Sequence, residues 1–109
     1  MIRLALIGLI LSVQAAGAHT TDQPFAEWMM SLRQPKIPYA SCCGPADQVY
    51  PERYEANEDG SFTAWVNGRK INVPADTVIW DRVNPTGRGV LFINQEDQFI
   101  FCFVPGSGT

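Results

Sequence analysis

Three cysteines are the residues of this sequence with the most distinctive chemistry. Cys42 and Cys43 are adjacent in "YASCCGPADQVY", Asp47 follows four positions after the second, and Cys102 stands near the C-terminus. Three thiols could form one disulfide and leave one thiol over, bind a soft metal ion, or serve a redox reaction. The compartment in which the chain works decides which of these is open to it.

The N-terminal segment predicts export. "MIRLALIGLILSVQAAGA" has one cation at Arg3, a short apolar run, and Ala16 and Ala18 in the spacing that signal peptidase cleaves. The apolar run is well short of the roughly 20 residues that span a bilayer. We therefore expect a cleaved signal peptide over residues 1–18 rather than a retained membrane anchor, and an oxidising compartment for the mature chain.

The remaining sequence has the length of one small domain. We expect a single β-rich domain over residues 19–104, a flexible tail over residues 105–109, and a periplasmic or secreted location. The chain has 8 Lys and Arg against 11 Asp and Glu, and its cations are scattered rather than clustered. A nucleic-acid partner is therefore not expected, and no second hydrophobic stretch predicts a membrane span after signal cleavage.

The first element of the mature chain is predicted to be a short helix. "DQPFAEWMMSLRQP" offers Asp22 as an N-cap and must end its helix before Pro35. Helical spacing places four apolar side chains on one face, which we expect to pack on the core: Phe25, Trp28, Met29 and Leu32. The following "KIPYASCCGPAD" is rich in Pro, Gly and small residues and is expected to be an irregular loop.

Two turn signals predict a three-stranded antiparallel meander after this loop. "NEDG" at 57–60 suits a turn closed by a left-handed glycine, and "NG" at 67–68 is the strongest short hairpin signal. Turn length fixes the register. We therefore expect Trp65 to lie opposite Lys70 on one side and opposite Arg53 on the other.

The alternation of side chains gives this meander two different faces. The predicted core face comprises Tyr54, Ala56, Phe62, Ala64, Ile71 and Val73. The predicted outer face comprises Arg53, Glu55, Thr63, Trp65, Lys70 and Asn72. Trp65 on that face either lies under the N-terminal helix or a loop, or stays partly open as a platform for a ligand or partner.

A second hairpin is predicted at the C-terminus. Strands are expected over residues 90–94 and 99–104, and the last one is apolar on both faces, which is typical of a strand in the middle of a sheet or beneath a helix. A further short strand is expected around residues 78–80. The predicted fold class is mainly β (α+β), with one short N-terminal helix packed on a single small antiparallel sheet of about five to six strands.

Several of these segments together resemble a group of small exported bacterial proteins. The resemblance rests on the signal sequence, the Trp-bearing helix, "SCCGPAD", "VPADTVIWDRVNPTGRGVLF" and "FCFVPG", and it runs over nearly the whole mature chain. Many members have a further cysteine directly after the aspartate, where this chain has Gln48. The resemblance implies no particular activity, and this departure puts in doubt that a full cysteine set is needed.

In an oxidising compartment the cysteines predict one structural disulfide, between Cys102 and either Cys42 or Cys43. It would close a loop of roughly 60 residues and stabilise the fold by about 3–4 kcal/mol. A thioredoxin-like site needs two residues between its thiols, so adjacent cysteines do not predict a dithiol enzyme. The cysteines with Asp47 and His19 include ligands for copper or zinc, but their spacing matches no closed-site pattern.

These observations favour a non-enzymatic, disulfide-stabilised module that binds or supports an envelope protein or polymer. Its predicted binding face is Arg53, Trp65 and Lys70. No catalytic residue, cofactor or metal ligand is assigned: Asp47, Asp76 and Asp81 could form a carboxylate pair, but Asp47 and Asp76 lie in turn-like settings, where capping is the usual role. The alternative is a thiol- or metal-binding envelope protein that uses Cys42 or Cys43.

The export signal predicts the N-terminus of the mature protein. Edman sequencing or intact mass of the exported material should find a chain that begins at His19, because signal peptidase cleaves after the second small residue of its motif. The control is the same gene with Ala16 and Ala18 both changed to a bulky residue, which should block cleavage. Exported protein that retains Met1 would contradict the signal peptide and, with it, the oxidising compartment.

Overall fold

A computed structural model describes residues 24–44 and 46–106 of the chain. The expected signal peptide, His19, Asp22 and the last three residues of the expected tail lie outside the described residues. The described elements are one helix and six strands: α1 (Ala26–Met30), β1 (Asp47–Val49), β2 (Arg53–Ala56), β3 (Phe62–Val66), β4 (Arg69–Val73), β5 (Val90–Asn94) and β6 (Phe99–Val104).

The strands form two antiparallel sheets of three strands each, in the orders β1-β5-β6 and β2-β3-β4. The fold is mainly β with one short helix, as predicted, but the expectation of a single sheet is wrong. The physical reason lies in β5 and β6, which are apolar on both of their faces. A hairpin of this kind needs cover on each face, so the meander packs against it face to face instead of joining its edge.

Two apolar cores lie on opposite faces of the β5–β6 hairpin. The helix-side core joins the hairpin to α1 and the cysteine loop: Met29, Leu32, Cys42, Cys43, Ala46, Ile79, Val90, Phe92, Cys102 and Val104. The sheet-side core joins it to the meander: Phe62, Ala64, Val66, Ile71, Val73, Val78, Leu91, Ile93, Ile100 and Phe103. Successive residues of β5 alternate between the two, as the pleat requires.

An irregularity in the β5–β6 ladder decides which core receives Cys102. The pairing shifts from Ile93↔Ile100 to Phe92↔Cys102, so Phe101 is an extra residue in β6. In a regular strand, Ile100 and Cys102 would point to the same face, because residues two apart in a strand do. The bulge instead leaves Ile100 in the sheet-side core and turns Cys102 into the helix-side core, toward the cysteine loop.

The meander has the predicted register throughout. Trp65 pairs with Arg53 in β2 and with Lys70 in β4. Asn67 and Gly68 both have left-handed backbones, with φ of 54° and 77°, which is the geometry of the expected two-residue turn. The predicted core face is also found, except that Tyr54 is only half-buried and Ala56 is exposed.

Helix α1 is shorter than its sequence pattern suggests. It ends at Met30, with Ser31 as its C-cap, because the chain then pairs with the cysteine loop: Arg33 forms a bridge with Ser41, and the Cys42 N–H donates to the Leu32 carbonyl at 3.1 Å. Met29 and Leu32 are buried, as expected. Phe25 is 41% exposed, contrary to expectation, because it precedes the helix with a left-handed backbone.

Two further details of the strands differ from prediction. Residues 78–80 form no strand; a short 3-10 helix over Ala75–Thr77 leads into a single bridge between Val78 and Phe103, so this segment only borders β6. The sixth strand is β1, which begins at Asp47, the last residue of the expected irregular loop, and its pairing with β5 makes β5 the central strand of that sheet, with β6 at its edge. Three residues without alternation gave no strand signal.

The structure contains a disulfide between Cys42 and Cys102, with a Cα–Cα distance of 5.8 Å. It connects the cysteine loop to β6 inside the helix-side core, where both residues are fully buried. Cys43 takes no part in the bond and is 6% exposed. Among the described residues, no helix has the length and hydropathy that crossing a membrane would need.

Removal of the disulfide should destabilise the fold equally from either end. Cys42→Ser and Cys102→Ser are each expected to lower the free energy of unfolding by about 3–4 kcal/mol, because the bond closes a 60-residue separation. Thermal melting without reductant measures this. The matched control is Cys43→Ala, which should keep the disulfide and melt well above both. A Cys102→Ser variant that melts like the parent, or a Cys43→Ala variant without the bond, would contradict the pairing.

Candidate functional site

The outer face of the meander carries an aromatic ring covered by a cation. The Arg53 guanidinium carbon lies 3.6 Å from the centroid of the Trp65 ring, and Lys70 is the cross-strand neighbour of Trp65 on the other side. Strand alternation points Trp65 away from the sheet-side core. The predicted trio of Arg53, Trp65 and Lys70 is thus brought together on one surface, which we call the Trp65 face.

The helix does not cover the Trp65 face. Met29 and Leu32, near α1, contribute to the helix-side core, which lies beyond the other sheet, while the meander packs on the opposite side of that sheet. Trp65 is half-buried and belongs to neither core. The Arg53 guanidinium lies against the Trp65 ring, so a polar, exposed side chain shields the indole.

One carboxylate pairs with Arg53, and a second caps the turn beside the Trp65 face. Glu55, two residues along β2, accepts a hydrogen bond from Arg53 Nη1 at 2.9 Å. Glu52 accepts from the backbone N–H groups of Asn67 and Gly68, so it caps the hairpin turn beside the face. The Glu52 charge is therefore already engaged by two donors, and Arg53 keeps further N–H groups for other acceptors.

A cleft of about 370 Å³ adjoins the Trp65 face and shares Arg53 with it. One wall is residues 50–54 and the other is residues 87–89. Arg88 crosses between them, with its guanidinium carbon 4.0 Å from the centroid of the Tyr50 ring. Two arginines, each stacked on an aromatic ring, therefore belong to one continuous surface, which we call the arginine cleft.

The two walls of the arginine cleft meet where the Tyr54 ring lies close to the backbone of Gly89. A Cβ on Gly89 would lie 2.6 Å from the Tyr54 ring, so only glycine admits that ring here. The Tyr54 hydroxyl in turn accepts from the Gly106 N–H at 2.8 Å and donates to the Gly106 carbonyl at 3.2 Å. Gly106, which lies in the expected flexible tail of residues 105–109, is thus hydrogen-bonded to a residue of the cleft wall.

A polar network fixes the segment that carries Arg88. The Asn84 amide nitrogen donates to the Arg88 carbonyl at 2.8 Å, and the Arg88 N–H donates to the Thr86 hydroxyl at 3.0 Å. Thr86 also donates to the Asn84 side chain at 2.7 Å. The backbone of Arg88 is therefore pre-organised, while its guanidinium extends over Tyr50.

The cysteine loop does not form an evident reactive centre. Burial raises the pKa of the Cys43 thiol, which keeps it protonated and weakly nucleophilic near neutral pH. Within residues 24–44 and 46–106, no three His, Cys, Asp or Glu side chains lie close enough to hold a metal ion together. Asp47, Asp76 and Asp81 lie in three separate segments, and Asp76 pairs with Lys36 at 3.7 Å.

A second surface feature is an exposed tryptophan that the sequence did not single out. Trp80 is 69% exposed and borders a groove of about 460 Å³ that Arg33, Pro35, Pro38 and Arg82 also line. Its ring approaches Phe62, whose side chain belongs to the sheet-side core. Trp80 therefore lies away from the Trp65 face, and it offers a matched control surface with an aromatic ring and cations.

Comparisons with protein-family models, curated proteins and solved structures found no match for this chain. Its function therefore has to be inferred from the described geometry. Sequence reasoning found Arg53, Trp65 and Lys70 because turn lengths fix their register, but it missed Tyr50 and Arg88. Those two residues come from irregular segments far apart in the chain, and the only local signal was an arginine between two glycines in "TGRGV".

The half-buried position of Trp65, outside both cores, gives a stability prediction. Trp65→Ala should lower the free energy of unfolding by only about 1–2 kcal/mol, the scale of an exposed cation–π contact plus partial burial. Phe62→Ala, on the core side of the same strand, should lower it by about 3–5 kcal/mol. Urea denaturation measures both. A Trp65→Ala loss as large as that of Phe62→Ala would show that the face is covered.

Proposed function

We propose that the chain is an exported, disulfide-stabilised module that binds a protein or polymer of the cell envelope through the Trp65 face. The observation that supports this most directly is the stacking of Arg53 on Trp65 beside Lys70, on a sheet surface that neither core uses. The disulfide and the signal-like N-terminus fit an oxidising compartment outside the cytoplasm.

The chemistry of the face suits ligands that carry negative charge or many hydroxyl groups. Arg53 and Lys70 supply charged N–H donors at an exposed site, and Trp65 supplies a flat apolar surface between them. Arg53 can keep its stack on Trp65 while it donates to a ligand, because its donors lie in the guanidinium plane. Binding therefore need not break the contact that positions the cation.

The rigidity of the module supports a binding role. The face is built on three strands with fixed register, whose other side is packed into the sheet-side core and, through it, onto a disulfide-bonded hairpin. A rigid surface loses little conformational entropy when it binds. The proposal assigns the chain no catalytic residue.

The alternative role as a thiol or metal protein has less support. The disulfide engages Cys42 and Cys102, and the remaining thiol, Cys43, is buried and has a raised pKa. A metal ligand or a reactive thiol needs the thiolate. No geometric feature of the described residues favours this alternative.

Retention on isolated cell envelopes tests the proposed function. Mature wild-type protein should co-sediment with washed envelopes of the producing cells, and the variant Arg53→Ala/Trp65→Ala/Lys70→Ala should lose most of that retention because it removes the aromatic surface and both cations. The matched control is Arg33→Ala/Lys36→Ala/Trp80→Ala, which also removes one tryptophan and two cations, from the Trp80 side. Equal retention of the two variants, with both still folded by melting curve, would overturn the proposal.

A further inference from the structure

We infer that the arginine cleft binds a sugar unit that carries one carboxylate, with Arg88 as the residue that pairs with that carboxylate. This deepens the proposed function and rests on it, since it names the ligand class of the same continuous surface. The cleft volume of about 370 Å³ lies near the lower end of the roughly 300–1,000 Å³ found for small-molecule sites. It suits one ring of a polymer rather than a long segment.

The availability of Arg88 indicates an anionic ligand. Within the described part of the chain, Arg53 is paired with Glu55, whereas no carboxylate pairs with Arg88. Tyr50 supports the Arg88 guanidinium from one face and leaves its in-plane donors for a planar acceptor. A carboxylate matches this fork with two parallel hydrogen bonds.

The charge of the lining favours a carboxylate over a phosphate monoester. The charged residues of the cleft lining are Arg53, Arg88 and Glu52; since Arg53 pairs with Glu55 and Glu52 accepts from two backbone N–H groups, the positive charge left in excess is that of Arg88. A single carboxylate balances that excess, whereas a phosphate monoester carries about −1.5 to −2 at neutral pH. The second charge of a phosphate would meet the Glu52 carboxylate without a further cation of the lining to offset it.

The remaining lining favours a sugar over a peptide. Apart from the charged groups, it consists of Tyr50, Pro51, Tyr54 and the glycines at 87 and 89, with no Leu, Ile, Val or Met. Peptide and protein partners derive most of their affinity from anchors in fully desolvated pockets, whereas Glu52, Arg53 and Arg88 of this cleft are exposed. A sugar ring needs flat aromatic surface and polar groups around it, which the cleft and the neighbouring Trp65 supply.

Titration with defined oligosaccharides tests the inference. Short oligogalacturonate should bind the mature protein, measured by calorimetry and by NMR shifts of the amides at 87–89. The fully methyl-esterified oligomer keeps the same rings without the charge, and it should bind at least about tenfold more weakly because the charge-assisted pair is lost. Equal binding of the ester would overturn the role of the carboxylate.

Variants assign the carboxylate to Arg88. Arg88→Gln should weaken oligogalacturonate binding about tenfold or more, and Arg88→Lys should recover only part of it, because an ammonium lacks the planar fork. Arg33→Gln, which removes the same charge from the Trp80 side, should bind within about twofold of wild type, as expected for a weakly coupled distant charge. Wild-type affinity of Arg88→Gln would overturn the assignment.

Two further ligands distinguish the rival classes. If polyglutamate binds as tightly as oligogalacturonate, the sugar assignment is wrong and the ligand is an acidic peptide. If glucose 6-phosphate displaces the oligomer better than glucuronate does, the carboxylate assignment is wrong and the site binds phosphate. If oligogalacturonate does not bind but envelope retention still depends on the Trp65 face, this inference alone is overturned. If oligogalacturonate does not bind and envelope retention does not depend on the Trp65 face, the proposed function is overturned as well.

Discussion

The burial of both faces of the β5–β6 hairpin is the constraint on which the rest of the structure depends. Its strands place apolar side chains on each side, so a single covering layer would leave one side in water at about 25 cal/mol per Å² of apolar surface. The chain meets this by folding its first part onto one face and its meander onto the other. The sheet β1-β5-β6 is consequently the middle layer of three.

The layer order determines where a ligand can bind. The helix and cysteine loop occupy one outer layer, and they are joined to the middle layer by the Cys42–Cys102 bond. The meander is the other outer layer, and its core side packs against the hairpin. Among the strands within residues 24–44 and 46–106, the far side of the meander is the sheet surface that neither core uses, and strand pairing places Arg53, Trp65 and Lys70 together there.

The sequence predicted those parts of the structure that local rules control. The turn at Asn67 and Gly68 fixed the register of Trp65, and the compartment argument predicted a disulfide to Cys102. Local rules could not select Cys42 over Cys43, because that choice depends on the backbone bond from Cys42 to Leu32 and on the bulge at Phe101. Both are tertiary features without a local signal.

The same distinction explains why the sequence predicted half of the candidate site. Trp65 and its neighbours are related by strand pairing, which turn lengths specify, so their contact follows from periodicity. Tyr50 directly follows β1 and Arg88 lies just before β5, so the antiparallel pairing of these two strands, with Val49 opposite Leu91, brings the two segments side by side. Because β1 carries no strand signal in the sequence, that pairing and the cleft beside it were not predicted.

The stacking of the sheets also explains why the cleft is rigid. At its base, Tyr54 packs edge-on against Phe62 and Phe103, so one aromatic group belongs both to the cleft wall and to the interface between the sheets. Its hydroxyl binds Gly106 beyond the end of β6, and its ring requires glycine at position 89. A larger residue at that position would force Tyr54 to move and so disturb the sheet interface together with the cleft. The cleft geometry is therefore coupled to the fold, while the two guanidinium groups above it remain accessible to a ligand.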